Sequence, residues 1–439
     1  MITIKTKDID LSLVEDISKI KNEPEWMLEF RKTAYKKFLE LENPSFGPNI
    51  DINYKDITYY KKVSDKVYDK WEDVDKSSYE TFNKLGLIDA ENKYLDGIGA
   101  QMESEVIYHS MIKELVDKNV IFCDTDTALK KHPEIFKKYF NNLVKYDENK
   151  FTALNGAVWS GGTFIYVPKN TTIDRPLQSY FRINSKNMGQ FERTIIIVDD
   201  NSHLHYMEGC TAPTYTEDSL HAAVVEIYVG ENSTCRYTTI QNWSTDVYNL
   251  VTKRAVVSKN GKMNWIDGNI GSKVNMKYPC CILNGENAEG YCVSAAISKG
   301  MQHQDTGAKM IHLAPNTKST IISKSISLKG GKSDYRGKVY IDKSANNSVS
   351  NIKCDTIILD SESKSDTIPD NIVKNPTSVL NHEATVSKIS EEKLFYLQSR
   401  GIDEEKAQEL LLMGFIDELR EELPMEYAVE LNHLLKNYF

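Results

Sequence analysis

The seven cysteines, Cys123, Cys210, Cys235, Cys280, Cys281, Cys292 and Cys354, are the residues with the widest chemical range. None forms a Cys-x-x-Cys pair, and Cys280-Cys281 are too close to clip a loop easily. Neither a disulfide framework nor a structural zinc ribbon is expected. Free thiols in a reducing compartment remain, most of them inert core residues. Cys210 sits in Glu208-Gly-Cys-Thr-Ala-Pro213, where Gly permits a tight bend and Pro interrupts a regular ladder. A thiol displayed in such a break could meet a partner's active site; a buried structural cysteine fits the same spacing. Glu208 alone would raise the thiol pKa, so reactivity there requires cationic or backbone help.

Cys354, with His382-Glu383 about one repeat further on, forms a second constellation. A thiolate is a soft ligand, an imidazole intermediate and a carboxylate hard, and iron accepts all three. His203-Leu-His205 places two imidazoles on one face of a strand, but no third ligand lies nearby in sequence, so a surface pair is the expectation. Gly330-Gly-Lys-Ser333 resembles the end of a phosphate-binding loop. Ile326 stands where that loop needs its first Gly and no helix follows, so this chain is not expected to hydrolyse nucleotide itself.

These residues need a frame. From about residue 151 short β-branched and aromatic strands alternate with polar turns. The turn asparagines Asn170, Asn201, Asn232, Asn260, Asn287, Asn316 and Asn347 recur at a nearly constant step. Strand, tight turn and strand at a fixed step predict a parallel β-solenoid, since each coil returns the chain about 4.8 Å above the last and stacks equivalent corners. Asn suits such corners because it tolerates the left-handed backbone region.

The expected organisation is a helical region over 1–145, the solenoid over 146–380 and a helical domain over 381–439. Helical spacing marks Pro24 to Arg31 and Gln101 to Asn119 in the first part. In the last, Ser390 and Asp403 are predicted N-caps, Gly401 a stop and Pro424 the start of a third helix.

Composition narrows the classes. Among 439 residues, 54 basic and 63 acidic side chains give a net charge of −9, which argues against charge-driven binding of nucleic acid or anionic membrane. No apolar run approaches the length of a membrane span. The stretch from Met1 to Ile20 mixes Lys, Asp and Glu and does not read as a signal peptide, so a cytoplasmic protein is expected.

Several long motifs then resemble the SufB/SufD family of the SUF iron–sulfur cluster assembly machinery, and within it the SufB branch. They are Pro24-Glu-Trp-Met-Leu-Glu-Phe-Arg31, Gly156-Ala-Val-Trp-Ser-Gly-Gly-Thr-Phe-Ile-Tyr-Val-Pro168, Gly189-Gln-Phe-Glu-Arg-Thr194 and Tyr206-Met-Glu-Gly-Cys-Thr-Ala-Pro213. Leu220-His-Ala-Ala-Val-Val-Glu226, Gln241-Asn-Trp243, Thr306-Gly-Ala-Lys-Met-Ile-His312, Thr317 to Lys324 and His382-Glu-Ala-Thr385 continue it, so the likeness runs from about residue 20 to about 435.

The resemblance implies a right-handed parallel β-helix between helical ends, acting as a scaffold rather than a stand-alone enzyme. It implies the ATPase SufC as a partner at the C-terminal helices, SufD or a second SufB alongside, and a cysteine desulfurase with a SufE- or SufU-type carrier. It further implies a nascent iron–sulfur cluster and a reduced flavin in the complex; no Gly-rich fingerprint locates the flavin. By motif, Cys210 becomes the sulfur acceptor, and Arg182, Asn184, Thr239, Gln241, Trp243 and Lys253 line an internal tunnel. Cys354 becomes the assembly-site cysteine, joined by Glu383 and His382. Asn381 stands where some relatives carry Glu, so an acidic-His-acidic set is not available. The competing expectations are a SufD-like structural subunit without its own cluster site, and a carbohydrate-active solenoid, which would need acids and aromatics along an exposed groove.

Overall fold

All seven corner asparagines adopt the left-handed conformation, with φ of 61° at Asn170, 55° at Asn201, 54° at Asn232 and Asn260, 60° at Asn287, 59° at Asn316 and 56° at Asn347. Their side chains also form a ladder. The amide of Asn201 donates to Asn170 Oδ1 at 3.1 Å, Asn232 to Asn201 at 3.1 Å, Asn260 to Asn232 at 2.8 Å and Asn287 to Asn260 at 2.9 Å. One residue type thus sets the bend and, as far as Asn287, ties each coil to the next; Asn316 donates to Glu286 instead. The computed structural model describes residues 2–4, 9–64, 66–213 and 218–423.

Between these corners the chain winds about eight turns of a parallel β-solenoid. One wall is a ten-stranded sheet and the other has thirteen strands. In the first, His203–Thr211, Thr234–Trp243, Lys262–Gly271, Glu289–Lys299, Lys318–Leu328, Val349–Ile358 and Val379–Lys388 stack in parallel register. Successive side chains alternate between interior and exterior, so a residue's place in the register fixes which face it serves. The final strand, Val379–Lys388, carries the solenoid past residue 380 before helix returns.

Gln101 to Asn119, expected as a helix, is not one. Strands Gly97–Met102 and Glu105–Met111 form an antiparallel hairpin, with Glu103 at φ 57° in its turn, followed by the short helix Lys113–Asp117. Gly97–Met102 adds in parallel to Leu177–Arg182 and covers the first edge of the ten-stranded sheet. The open edge of Leu177–Arg182 is satisfied only by a paired strand, and tertiary pairing decides the outcome.

The other N-terminal helices cover the outer face of the thirteen-stranded sheet, against Leu220, Tyr248, Leu250, Val274 and Met276. Glu25–Glu40 packs on the fully buried helix Lys150–Val158, where Gly156 lets the two axes close: a Cβ there would lie 2.8 Å from the Ala34 Cβ. Arg31, wholly buried, pairs with Glu23 at 2.6 Å and donates to the carbonyls of Ala157 and Trp159. At the other end Glu391–Ser399, Glu404–Phe415 and Asp417–Glu421 follow, with Ser390 and Asp403 capping as predicted and Gly401 at φ 85°. Leu412, Ile416 and Leu419 pack with Ile266, Ile270 and Val293 on the outer face of the solenoid. The helix expected from Pro424 lies outside the described residues.

Candidate functional site

A solenoid interior is ordinarily a stack of apolar ladders. This one keeps such a ladder along one side, through Tyr206, Tyr237, Trp265, Cys292, Ile321 and Ile352, and carries polar and charged columns beside it. Glu208, Thr239, Asp267, Ser294, Ser323 and Cys354 occupy one register column, strand above strand, and Cys210, Gln241 and Asn269 begin the next. On the facing sheet Gln190, His221, Asn249, Asn275, Gln304 and Ser333 form a polar column, and Lys277, Thr306 and Tyr335 run beside it.

Cross-sheet contacts knit these columns together. Asn249 Nδ2 donates to Gln241 at 2.6 Å and to Asn275 at 2.9 Å, and Asn275 donates onward to Gln304 at 2.9 Å and to Asn269 at 3.2 Å. Lys253 Nζ lies 3.6 Å from Glu208 Oε1 and 4.4 Å over the Tyr237 ring; Lys277 Nζ lies 3.0 Å from Asp267. His221 bridges Glu192 and Asn249. Burial lowers the His221 pKa, but Glu192 and then Asn249 outweigh it and leave the imidazole above its ordinary value. Lys277 goes the other way, pulled down to about 8 by burial despite Asp267, with Lys253 adding to the fall.

Cys210 is fully buried at one end of this network. Its Sγ is 3.8 Å from Glu208 Oε1 and 4.0 Å from Gln241 Nε2, and Phe181, Ile183, Met188, Trp243 and Val247 pack around it. Burial drives its thiol pKa well up, Glu208 and Glu192 add to that, and Lys253 and Lys277 oppose it. The sulfur is therefore a neutral thiol, with the cations that would favour a thiolate already present but engaged by carboxylates. Cys354 lies five strands along the sheet, an axial separation of about 24 Å at one inter-strand spacing per step. Burial raises its thiol to about 12, opposed by the neighbouring Tyr335 hydroxyl. His382 Nε2 is 3.6 Å from Cys354 Sγ, and the Tyr335 ring sits 6.2 Å from the His382 ring.

The structure gathers some expected residues and separates others. Thr239, Gln241, Trp243 and Lys253 converge on Cys210 or its immediate network; the Trp243 ring lies 4.7 Å from His221. Arg182 does not: it pairs with Thr211 on the outer face of its strand and donates to the Thr211 hydroxyl at 2.8 Å. Asn184 is exposed, and its backbone N–H donates to Glu103. At the far end Cys354 and His382 share the interior, but Glu383 pairs in register with Lys353 on the opposite face and is exposed. For Arg182 and Glu383 the cause is strand alternation, which puts neighbours in sequence on opposite sides; Asn184 lies past the end of its strand.

Other residues were not expected in the site, although Glu192 and His221 lie within the quoted motifs. Glu192, His221, Asn249, Asp267, Asn275, Lys277 and Tyr335 carry the interior network. Polar residues recurring at the repeat step, Asn249, Asn275 and Gln304, were the available signal. His203 is exposed, whereas His205 is half-buried and bonds Thr238. Among the described residues His303, Asp305 and Asp334 could close on a metal, but Arg336 at 2.8 Å from Asp305 and Lys332 at 3.1 Å from Asp334 already neutralise both carboxylates.

Comparison with known proteins fits this architecture. Residues 15–179 match the SufBD protein N-terminal region, and residues 181–415 match the SufBD core domain of SUF system FeS cluster assembly. The chain belongs to the SufBD family. It is 58% identical over 426 residues to an iron–sulfur cluster assembly SufBD family protein of Staphylococcus aureus strain USA300, covering 97% of this chain and 92% of that protein. A family protein of Staphylococcus haemolyticus matches at the same identity and coverage. The SufBD family is a component of iron–sulfur cluster assembly, and this chain takes its place there. No helix of the described residues is long and apolar enough to cross a membrane.

Proposed function

We propose that this SufBD-family chain is the scaffold on which the cluster is built, receiving sulfur at Cys210 and assembling iron and sulfide at Cys354. The observation that carries this reading is the continuous polar interior between the two thiols, in a position where a purely structural coil would hold aliphatic ladders. Buried, unsatisfied polar groups are costly and rarely tolerated without a use. Two donors here, Thr239 Oγ1 and Trp243 Nε1, have no hydrogen-bond partner among the described residues. Together with Lys253 and Lys277 they would receive a hydrodisulfide anion, formed when a free sulfide attacks the outer sulfur and Cys210 leaves as a thiolate; attack on it by the Cys354 thiolate then gives a Cys354 persulfide and returns the sulfide.

Transfer onto Cys210 needs its thiolate to attack the outer sulfur of a donor persulfide. The new S–S bond forms on Cys210, the donor's S–S bond breaks, and the donor leaves as a thiolate. Because Cys210 is buried and protonated, opening of the cluster around it is the step for which an ATPase partner would supply work. Helix Glu391–Ser399 buries no side chain and exposes Phe395 and Tyr396, which suits docking of that partner. The last coil strands, Lys364–Val373 and Val379–Lys388, expose Ile368, Ile372, Val373, Val379 and Val386 and suit pairing with a second SufBD subunit.

A SufD-like role is the second reading, favoured by the outward position of Glu383, which keeps its carboxylate away from Cys354 and His382. Anaerobic reconstitution of the purified chain with iron and sulfide separates the two. A scaffold gains visible absorbance that Cys354→Ala abolishes; a structural subunit shows no such Cys354-dependent absorbance.

A further inference from the structure

The paired cysteines Cys280-Cys281 part company in the strand Cys280–Leu283: Cys281 faces the apolar core, and Cys280 faces outward. In the register Cys280 lies directly between Arg254 on one neighbouring strand and Lys309 on the other. It also lines a cavity of about 440 Å³, walled by Phe46, Tyr278 and Met276 as well as by both cations. Two carboxylates reach this cavity. Glu148 is held by Arg254 in a double contact at 2.6 and 2.7 Å, and Glu42 is exposed. Lys309 has no carboxylate partner among the described residues; its ammonium lies 5.3 Å over the Tyr278 ring.

We propose that this cavity binds a small anionic molecule carrying an S–S bond, with Lys309 as the anion-binding cation and Cys280 as the thiol that reacts with it. The inference does not depend on the scaffold reading, because Cys280 lies on the outer face and touches none of the interior columns. A half-buried ammonium without a counter-ion is disfavoured by desolvation, and burial does lower the Lys309 pKa. A bound anion removes that penalty. Burial also raises the Cys280 thiol, while Arg254 and Lys309 bring it back towards the thiolate. In the reaction the Cys280 thiolate attacks one sulfur of the ligand and the ligand's S–S bond breaks. The other sulfur leaves as a thiolate, and Cys280 ends in a mixed disulfide (or in a persulfide, when the outer sulfur of a persulfide is attacked). No external oxidant is required.

The test compares Cys280 with Cys123, which lines a separate cavity beside Asp124. The intact chain is treated with dithionitrobenzoate, an aromatic disulfide bearing two carboxylates, or with uncharged dithiodipyridine, and modified cysteines are mapped by mass spectrometry over time. The carboxylate reagent should label Cys280 first, and Lys309→Gln should slow that labelling about tenfold while leaving the uncharged reagent's rate within about twofold. Lys309→Arg should retain the wild-type rate. If Lys309→Gln does not fold, added salt in the wild type should slow only the carboxylate reagent. Labelling of Cys123 ahead of Cys280 by the carboxylate reagent, or equal slowing of both reagents, overturns the proposal.

Discussion

Removing the Lys253 ammonium tests the buried pair beside Cys210 directly. Lys253 and Glu208 are 3.6 Å apart, with side chains 1% and 4% exposed. At an effective dielectric of about 20 their attraction is about 5 kcal/mol, and each ion has lost several kcal/mol of hydration. Lys253→Met leaves Glu208 buried, bonded to the Tyr237 hydroxyl and 3.8 Å from the Cys210 thiol, with Lys277 as the next cation to act on it. Stripping one member of such a pair costs about 3–5 kcal/mol. Lys253→Met with Glu208→Gln removes both charges and should recover most of that loss, giving a coupling energy of at least about 2 kcal/mol in a double-mutant cycle. Urea unfolding followed by tryptophan fluorescence reads it. The functional expectation is different: cluster assembly should stay low in the double variant, because restored packing does not restore a cation for migrating sulfur. Additive single effects, with coupling under about 0.5 kcal/mol, would refute the claim that these charges meet inside the solenoid. Recovery of assembly along with stability would refute the claim that the cation is used.

Three further outcomes follow from geometry. Reconstituted Cys354→Ala and His382→Ala should lose bound iron, whereas Glu383→Gln, on the outer face, should retain it in the isolated chain; iron counting distinguishes them. The Cys354 thiol is raised to about 12, so its alkylation by iodoacetamide should climb about tenfold per pH unit from about pH 7 to 10. A plateau near the ordinary thiol value of about 8.5 would contradict that burial. Asn232→Ala forces an alanine to a φ of 54° and breaks two rungs of the corner ladder, so unfolding stability should fall by about 1–2 kcal/mol, with Asn232→Gly costing less.

The solenoid was legible because its cause is local and repeated. A single asparagine per corner sets the bend, and its recurrence survives any uncertainty about individual strands. Gln101 to Asn119 misled because its apolar spacing suits either structure; what decided it was an open sheet edge formed by residues far along the chain. The site shows the same division. Motifs found Cys210, Gln241, Trp243 and Cys354, which lie on inward positions of one sheet. Glu383 and Arg182 came with them in sequence but fall on the other face, since one residue along a strand reverses direction. The counter-charges Asp267 and Lys277 carry no motif, and only the stacking of coils from two sheets brings them together.

The central claim is that the charged interior connects Cys210 to Cys354, and sulfur itself can report on it. The chain, incubated with a persulfide-charged desulfurase and its carrier, is digested and each cysteine mapped for added sulfur in wild type and in Lys277→Met. Connection predicts sulfur on both cysteines in the wild type, and in the variant sulfur retained at Cys210 but lost at Cys354. Equal loading of Cys354 in the variant, or loading of Cys354 when Cys210 is replaced by alanine, contradicts it.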